Sequence, residues 1–494
     1  MSRVVVIGAG LGGLAAAARL AASGHDVTVL EQAARVGGKL GTHERDGFVF
    51  DTGPSLVTMP HLLRELFDDT GGPLEDVLSL RRLDVACRYR FPDGTVLDLP
   101  GDLDAVPAAL DAALGDGTGA QWSAFLDRAE RIWDATHEAF LESPIGPRDL
   151  LRLSRRVGDL RTVAPWLSLR ALGAQYLTDP RLRMLLDRYA TYTGSDPRLA
   201  PAALATVPYV EQAHGSWYVD GGLVRIAEAV RDRAVERGAV VRTSSEVSQV
   251  LVEQGRATGV RLVSGEELPA DVVVANADAT QVYGHLVPGS GGADRARLSR
   301  ATPSLSGFVL LLALDDAGPD PVHHRVLFAE DYDAEFDAVF GLGGPPRPVA
   351  RPTVYVSAPD DPAVVPGPGT AAWFVLVNAP RHEVVGGVDW DTPGLADSYA
   401  DQVLAVMADR GLDVRPHVRW RHVMTPADLE RATLTPGGSI YGSSSNGARA
   451  AFLRPPNASG VRGLFLVGGS SHPGGGLPLV TLSARIVASL VGPA

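Results

Sequence analysis

The chain has 494 residues, of which 45% are hydrophobic and 21% charged. That balance suits two or three packed domains and excludes collagen, coiled coil and wholesale disorder. A formal charge of −13 argues against a nucleic-acid partner, and a lone cysteine, Cys87, excludes a disulfide framework or a cysteine-rich metal site. The twelve histidines form no ligand-spaced cluster, so no metal is expected. No apolar run approaches the ~18 residues of a membrane-spanning helix. Met1 to Ile7 has one Arg and a short Val/Ile run that enters glycines, unlike a signal peptide. An intracellular, cytoplasmic protein is the expectation.

Arg3 to Ile7 is a continuous β-branched run, the texture of a strand buried on both faces. Gly8 to Gly13 is a turn, Leu14 to Ala22 an Ala/Leu-rich helix, and Asp26 to Leu30 a second strand. Leu103 to Val207 reads as mostly helical, broken at Pro144 and Pro147. A helix from Leu223 carries Ile226, Ala227, Val230 and Ala234 on one face. Short strands follow at Val240-Val241, Val247 to Val252, Thr258 to Leu262 and Val272 to Ala275. Ser304 to Arg421 alternates strands, such as Phe308 to Leu314 and Trp373 to Val377, with Pro/Gly loops. Leu464 to Val467 is a strand, Gly468 to Gly476 a loop, and Pro478 to Leu490 a helix with Pro near its start. The simplest assembly is one nucleotide-binding domain from three separated pieces, with a second domain from the two insertions between them.

Gly8-Ala9-Gly10-Leu11-Gly12-Gly13 is G-x-G-x-x-G between a strand and a helix. Gly8 permits the tight turn, Gly10 lets backbone approach a pyrophosphate, and Gly13 lets helix pack on strand. The helix N-terminus offers N–H donors to phosphate. Glu31 ends the second strand outside the core, where a carboxylate accepts from a ribose and repels a 2′-phosphate. Arg35-Val36-Gly37-Gly38-Lys39 suits a backbone passing an extended cofactor. Lys39 faces phosphate or flavin, or else is a solvated surface lysine. Asp51-Thr52-Gly53-Pro54-Ser55 is a second small-residue turn, fit to lie against a ring system. Other residues have plainer readings. His472 is a catalytic candidate in its loop or, with Pro473, only shapes the turn, His323-His324 is not metal-spaced, and Cys87 is a buried apolar residue rather than a nucleophile. Asp68-Asp69 and Asp360-Asp361 read as solvated loop charges.

With the Gly37-Gly38 pair and the string Phe50 to Ser55, the N-terminal segment resembles the bacterial-type phytoene desaturase family. The string "GLFLVGGSSHPGGGLPLVTLSARIVASL" (Gly463 to Leu490) resembles that family's signature closely. Further matching strings are "HHRVLFAEDYDAEF" (His323 to Phe336), "PTVYVSAPDDP" (Pro352 to Pro362), "FVLVNAP" (Phe374 to Pro380) and "TPADLE" (Thr425 to Glu430). The resemblance is weakest over Leu103 to Val207. It implies FAD, a flavin amine-oxidase-like fold and a carotenoid substrate. Carried over, it assigns Gly8, Gly10, Gly12, Gly13, Glu31 and Lys39 to FAD, and the Val247 backbone to adenine. Gly468 and Gly469 would meet the pyrophosphate and ribityl chain. Leu477, Pro478 and Val480 would sit by the isoalloxazine, with Ser55 in the second turn.

The expected fold class is α/β. A Rossmann-type FAD-binding domain would be built from 1–100, 215–300 and 422–494. A substrate domain with a β-sheet and a helical insertion would come from 101–214 and 301–421. The expected reaction is desaturation, with hydride passing to flavin and a neighbouring proton lost. The string "IYGSSSNGARAAFLRPPN" (Ile440 to Asn457) resembles the branch with hydroxycarotenoid 3,4-desaturases, and phytoene and a hydroxycarotenoid stand level as expected substrates. Trp166, Trp217 and Trp373 suit an apolar tunnel or a plain core alike. Asp187, Arg188 and Tyr189 are candidate proton acceptors, none of them singled out. An amine or protoporphyrinogen oxidase, a geranylgeranyl-type reductase and a non-catalytic flavoprotein are the alternatives. The final electron acceptor, quinone or O2, is left open. Arg148 to Arg170 sets six arginines against two aspartates beside Leu150, Leu151, Leu153, Val157 and Leu160. Over about Asp149 to Ala164 this reads as an interfacial helix, so a peripheral membrane position is expected.

Overall fold

The computed structural model describes residues 1–144, 157–316, 318, 322–447, 450 and 454–494. Strand β1 (Arg3–Ile7), helix α1 (Leu11–Ala22) and strand β2 (Asp26–Leu30) open the chain. β1 has parallel neighbours on both sides, β2 and Val272–Ala275, with Val4 opposite Val27 and Val272. Leu464–Leu466 and Val240–Arg242 extend the sheet to five parallel strands. This explains the unbroken apolar run, because both faces of β1 are covered. Val4 and Val6 pack on α1, Val224–Glu236 and Leu477–Val491, while Val5 and Ile7 face a small antiparallel sheet. That sheet is Val247–Glu253, Arg256–Leu262 and Glu267–Pro269. α1 is buried from Leu11 to Ala21, and its alanines let the neighbouring helices approach closely.

A seven-stranded sheet forms the second body. Its order is Val418–Met424, Ser306–Leu314, Ala371–Ala379, Val354–Ser357, His324–Leu327, Val85–Arg90 and Val96–Pro100. All neighbours are antiparallel except His324–Leu327 with Val85–Arg90. Ser306–Leu314 is buried throughout. Its even residues from Phe308 pack on Leu395–Asp409, and Val309, Leu311 and Ala313 pack on Phe48 and Phe50. The helical stretch lies over the other end, with Val106–Leu114, Thr118–Thr136 and Pro180–Arg188 sharing a core with Tyr89 and Phe328.

Three strands depart from the expected division, one of them Val418–Met424, which the cut at residue 421 divides. Val85–Arg90 and Val96–Pro100 lie inside 1–100 yet complete the seven-stranded sheet, so a cut at residue 100 divides it. Half of the expected interfacial helix, 149–156, falls outside the described residues. Its described end is the helix Val157–Val163. Among the described residues no helix is long and apolar enough to cross a membrane.

Candidate active site

One cavity of about 1140 Å³ runs from the β1–α1 turn to the helical layer. Gly8, Gly10 and Gly12 line its first end. Gly8 takes a φ of +90°, which favours glycine. Gly13 stands behind this wall, where a Cβ would lie 2.2 Å from the Gly8 carbonyl oxygen. Its bareness lets α1 sit on β1. Asn276 backs the turn, with Nδ2 donating to the Gly8 carbonyl at 3.3 Å. Sequence reasoning passed over Asn276. The available signal was its place after a strand parallel to β1, where strand ends converge on the ligand crevice.

Glu31 lines the same wall but is only 7% exposed. Its Oε2 accepts from the Ala9 amide at 2.7 Å and its Oε1 from the Ala33 amide at 2.9 Å. The expectation of a residue outside the core is therefore corrected: the carboxylate clamps the glycine turn to the end of β2. Val247 is buried next to it in the cavity wall. Lys39 faces the cavity and donates through Nζ to the Ser439 carbonyl at 3.3 Å and to that of Ile440. Burial pushes its ammonium down to about 8, against the opposing pull of Asp278. Ser55 lines the cavity and shares a hydrogen bond with the Tyr355 hydroxyl, which meets His324 Nδ1 at 2.8 Å.

Gly468, Gly469, Leu477, Pro478 and Val480 close the wall from the far strand. The helix Leu477–Val491 starts there with Pro478 in its first turn, so its positive dipole end borders the cavity. Arg454 holds this loop, donating to the carbonyls of Tyr441, Ser443 and Gly469 at 3.1, 2.8 and 2.6 Å. Burial lowers its guanidinium to about 10, with Asp278 opposing. It too was missed, although it lies in the Ile440 to Asn457 string.

Several candidates fall elsewhere. His472 is buried outside the lining, with Nε2 at 3.1 Å from the Ser143 carbonyl, and burial brings it down to about 4. Burial lowers His323 to about 3 and His324 well below the usual imidazole range, so both rings are neutral. Cys87 is buried, its thiol pushed up to about 12. Asp361 is a correction. It is buried and accepts from the Tyr218 hydroxyl at 3.1 Å and the Gly221 amide at 2.7 Å, because the turn there needs an acceptor. Asp187 turns away from the cavity to Arg170, and Tyr189 is in the core. Of those three, Arg188 alone lines the cavity. Trp166, Trp217 and Trp373 do not line it, whereas Trp133 does.

The far end is apolar, walled by Leu56, Met59, Trp133, Phe140, Leu204 and Val207. The whole exceeds the ~300–1,000 Å³ of a usual small-molecule pocket, leaving room for a cofactor and a second molecule. The residues fit a dinucleotide. The glycine cradle has no room for side chains, a helix N-terminus faces it, and a carboxylate stands one strand over.

The family model described as flavin containing amine oxidoreductase matches residues 11–492. The chain belongs to this family. It is 36% identical to a 4,4'-diapolycopene oxygenase of Methylomonas sp. over 98% of this chain and 97% of that one. It is 35% identical to a hydroxyneurosporene desaturase of Rubrivivax gelatinosus, covering 98% and 92%. It is 32% identical to a 1-hydroxycarotenoid 3,4-desaturase of Flavobacterium sp., covering 99% of each. These full-length relatives put it in the carotenoid desaturase group of flavin amine oxidoreductases. Among solved structures, putrescine oxidase bound to putrescine superposes with a TM-score of 0.67 at 15% identity, covering 99% of both chains. An oxidoreductase from Methanosarcina mazei gives 0.64 at 18% identity, covering 99% and 100%. At such identities the shared feature is the fold. This family member is an FAD-dependent oxidoreductase.

Proposed function

We propose that this oxidoreductase desaturates a carotenoid, with FAD along the glycine turns and the polyene in the apolar chamber. Continuity carries the reading: one cavity joins Gly8, Glu31 and Gly468 to the chamber at Met59, Trp133 and Val207. A polyene offers few polar handles, so its affinity comes from burial at ~25 cal/mol per Å². When bound, FAD supplies a hydride acceptor. The substrate gives up a hydride from one carbon and a proton from its neighbour, and the C–C bond becomes C=C. In this reading Gly8, Gly10, Gly12 and Glu31 hold the adenosine half and its phosphates, with Gly13 supporting the turn and Val247 beside adenine. Lys39, Gly468 and Gly469 flank the pyrophosphate and ribityl chain. Ser55, Leu477, Pro478 and Val480 border the ring, and the helix dipole stabilises negative charge arriving there. The apolar chamber excludes water.

Anaerobic mixing tests this. A carotenoid is expected to bleach the oxidised flavin within a single turnover, whereas amines and NADPH leave it unchanged. Heat should release the flavin as free FAD. Bleaching by an amine and not by carotenoids would refute the reading. A second reading, attack on the same polyene by an oxygenase, is favoured by the name of the Methylomonas relative. Oxygen incorporated from 18O2 into the product would select it.

We also propose that the protein collects its substrate at a membrane surface. Trp166 is 65% exposed and Leu199 48% exposed. They sit on segments joined by hydrogen bonds from Ala202 to Leu167 and from Leu169 to Ala200. Pro165, Pro201 and Leu204 of the same segments line the cavity, so this apolar surface adjoins its far end. Wild type is expected to co-sediment with anionic liposomes, and Trp166→Ser to do so several-fold less. Equal sedimentation of the two proteins would remove Trp166 from any membrane contact.

A further inference from the structure

Arg188 is a half-buried guanidinium with no carboxylate partner among the described residues. It ends the helix Pro180–Arg188 and lines the cavity. Its Nη1 donates to Thr191 Oγ1 at 3.0 Å, and its Nε has no partner. Its Cζ lies 5.3 Å from the Tyr192 ring centre and 5.2 Å from that of Tyr355. Among the described residues it makes no ion pair. Nearby arginines of the same layer are served differently: Arg170 pairs with Asp187 and Asp333, and Arg198 with Asp196 and Asp337.

Glu211 lines the same cavity at 5% exposure. Its Oε1 accepts from the Tyr189 hydroxyl at 2.8 Å, and its Oε2 has no partner. Burial pushes its carboxyl up, against the pull of Tyr189, Tyr192 and Arg188. Buried charges and polar groups are costly unless paired, so this cluster is incomplete without a polar ligand. It lies beside Ser55 and Tyr355, at the flavin end of the chamber, opposite the apolar far wall of Leu56, Met59, Trp133, Leu204 and Val207.

We propose that Arg188, with Tyr192 and Glu211 beside it, is a polar socket for an oxygen-bearing end group of the polyene and sets which polyenes are accepted. The inference rests on the polyene reading above. A hydroxyl answers the cluster best, accepting from the guanidinium and donating to the carboxylate. A carbonyl answers Arg188 alone, and a plain hydrocarbon end leaves both groups unsatisfied. A site built to bond a hydroxyl rejects the analogue that lacks it. Arg188 acts here as a specificity residue, because a guanidinium keeps its protons and cannot accept the one lost in desaturation.

The test uses the FAD-loaded protein in detergent and two polyenes of equal length, one with a terminal hydroxyl and one without. Dissociation constants come from the absorbance shift of the bound polyene, and anaerobic flavin bleaching is followed alongside. Wild type is expected to bind the hydroxylated polyene at least tenfold more tightly, the worth of a hydrogen bond to a charged group. Arg188→Met should bind the two within threefold of each other, and Arg188→Lys should keep part of the preference. Equal affinities in wild type would overturn the socket, as would a Met variant that weakens both polyenes alike. If Arg188→Met loses its flavin, Glu211→Gln and Arg188→Lys carry the comparison, and an unchanged preference in both overturns the proposal. If neither polyene binds wild type or bleaches its flavin, the polyene reading falls and the socket with it. Bleaching by both without preference removes the socket alone.

Discussion

Gly53→Ala is expected to yield a protein that purifies without FAD. A Cβ at Gly53 would lie 1.8 Å from the Lys39 carbonyl oxygen. Neither strand of backbone is free to yield. Thr52 donates to the Gly41 carbonyl at 2.9 Å, and Gly37 donates to that of Ala9 at 2.8 Å. Lys39 is itself tied to Ser439 and Ile440. Relief therefore means separating two loops that both border the cavity. Overpacking of this kind costs roughly 1–3 kcal/mol or more in stability, and the cradle opens as well. The ratio of flavin to protein absorbance after gel filtration, with a thermal midpoint, reads both effects. Stoichiometric flavin in this variant would mean the two loops move apart freely.

Glu31→Ala should damage both cofactor affinity and the apoprotein. The carboxylate accepts from two backbone amides at a buried position, and its loss leaves the donors of Ala9 and Ala33 unsatisfied. At about 1–3 kcal/mol for each of the two orphaned groups, a loss of about 2–6 kcal/mol in apoprotein stability is expected. A charge-assisted bond to the cofactor is worth a further 1.5–3 kcal/mol, roughly ten- to a hundredfold in FAD affinity. Glu31→Gln keeps one acceptor and should fall between. Urea unfolding of the apo forms separates the first loss from the second, which FAD titration measures. Unchanged unfolding of apo Glu31→Ala would show that the two amides find other partners.

Local pattern made much of this legible. β1, β2 and Val272–Ala275 lie where the β-branched runs put them, because a strand buried on both faces needs nothing but apolar side chains. The glycine turn was readable because its constraints are steric and sit within six residues. Pairings set by distant segments were not readable. Val85–Arg90 joins the seven-stranded sheet through Arg325, Val326 and Leu327, a choice with no local mark in the sequence. Asn276, Arg454 and Glu211 face the cavity only after strands far apart in the chain come together. Asp361 looked like a loop charge because its partners, Tyr218 and Gly221, are remote in sequence. In each case tertiary contact overrode the local expectation.

The order of strands in the parallel sheet bears on how the protein is made. β1 emerges first, but its neighbour Val272–Ala275 and the outer strand Leu464–Leu466 emerge much later. At ~5–20 residues per second, a ribosome needs roughly 25–100 s for 494 residues. For nearly all of that time the cavity beside the glycine turn lacks the wall formed by Gly468 and Gly469. The cavity wall is thus complete only when synthesis is nearly over, and until then the nascent chain must keep an Ala-rich helix and a bare valine strand from misassociating.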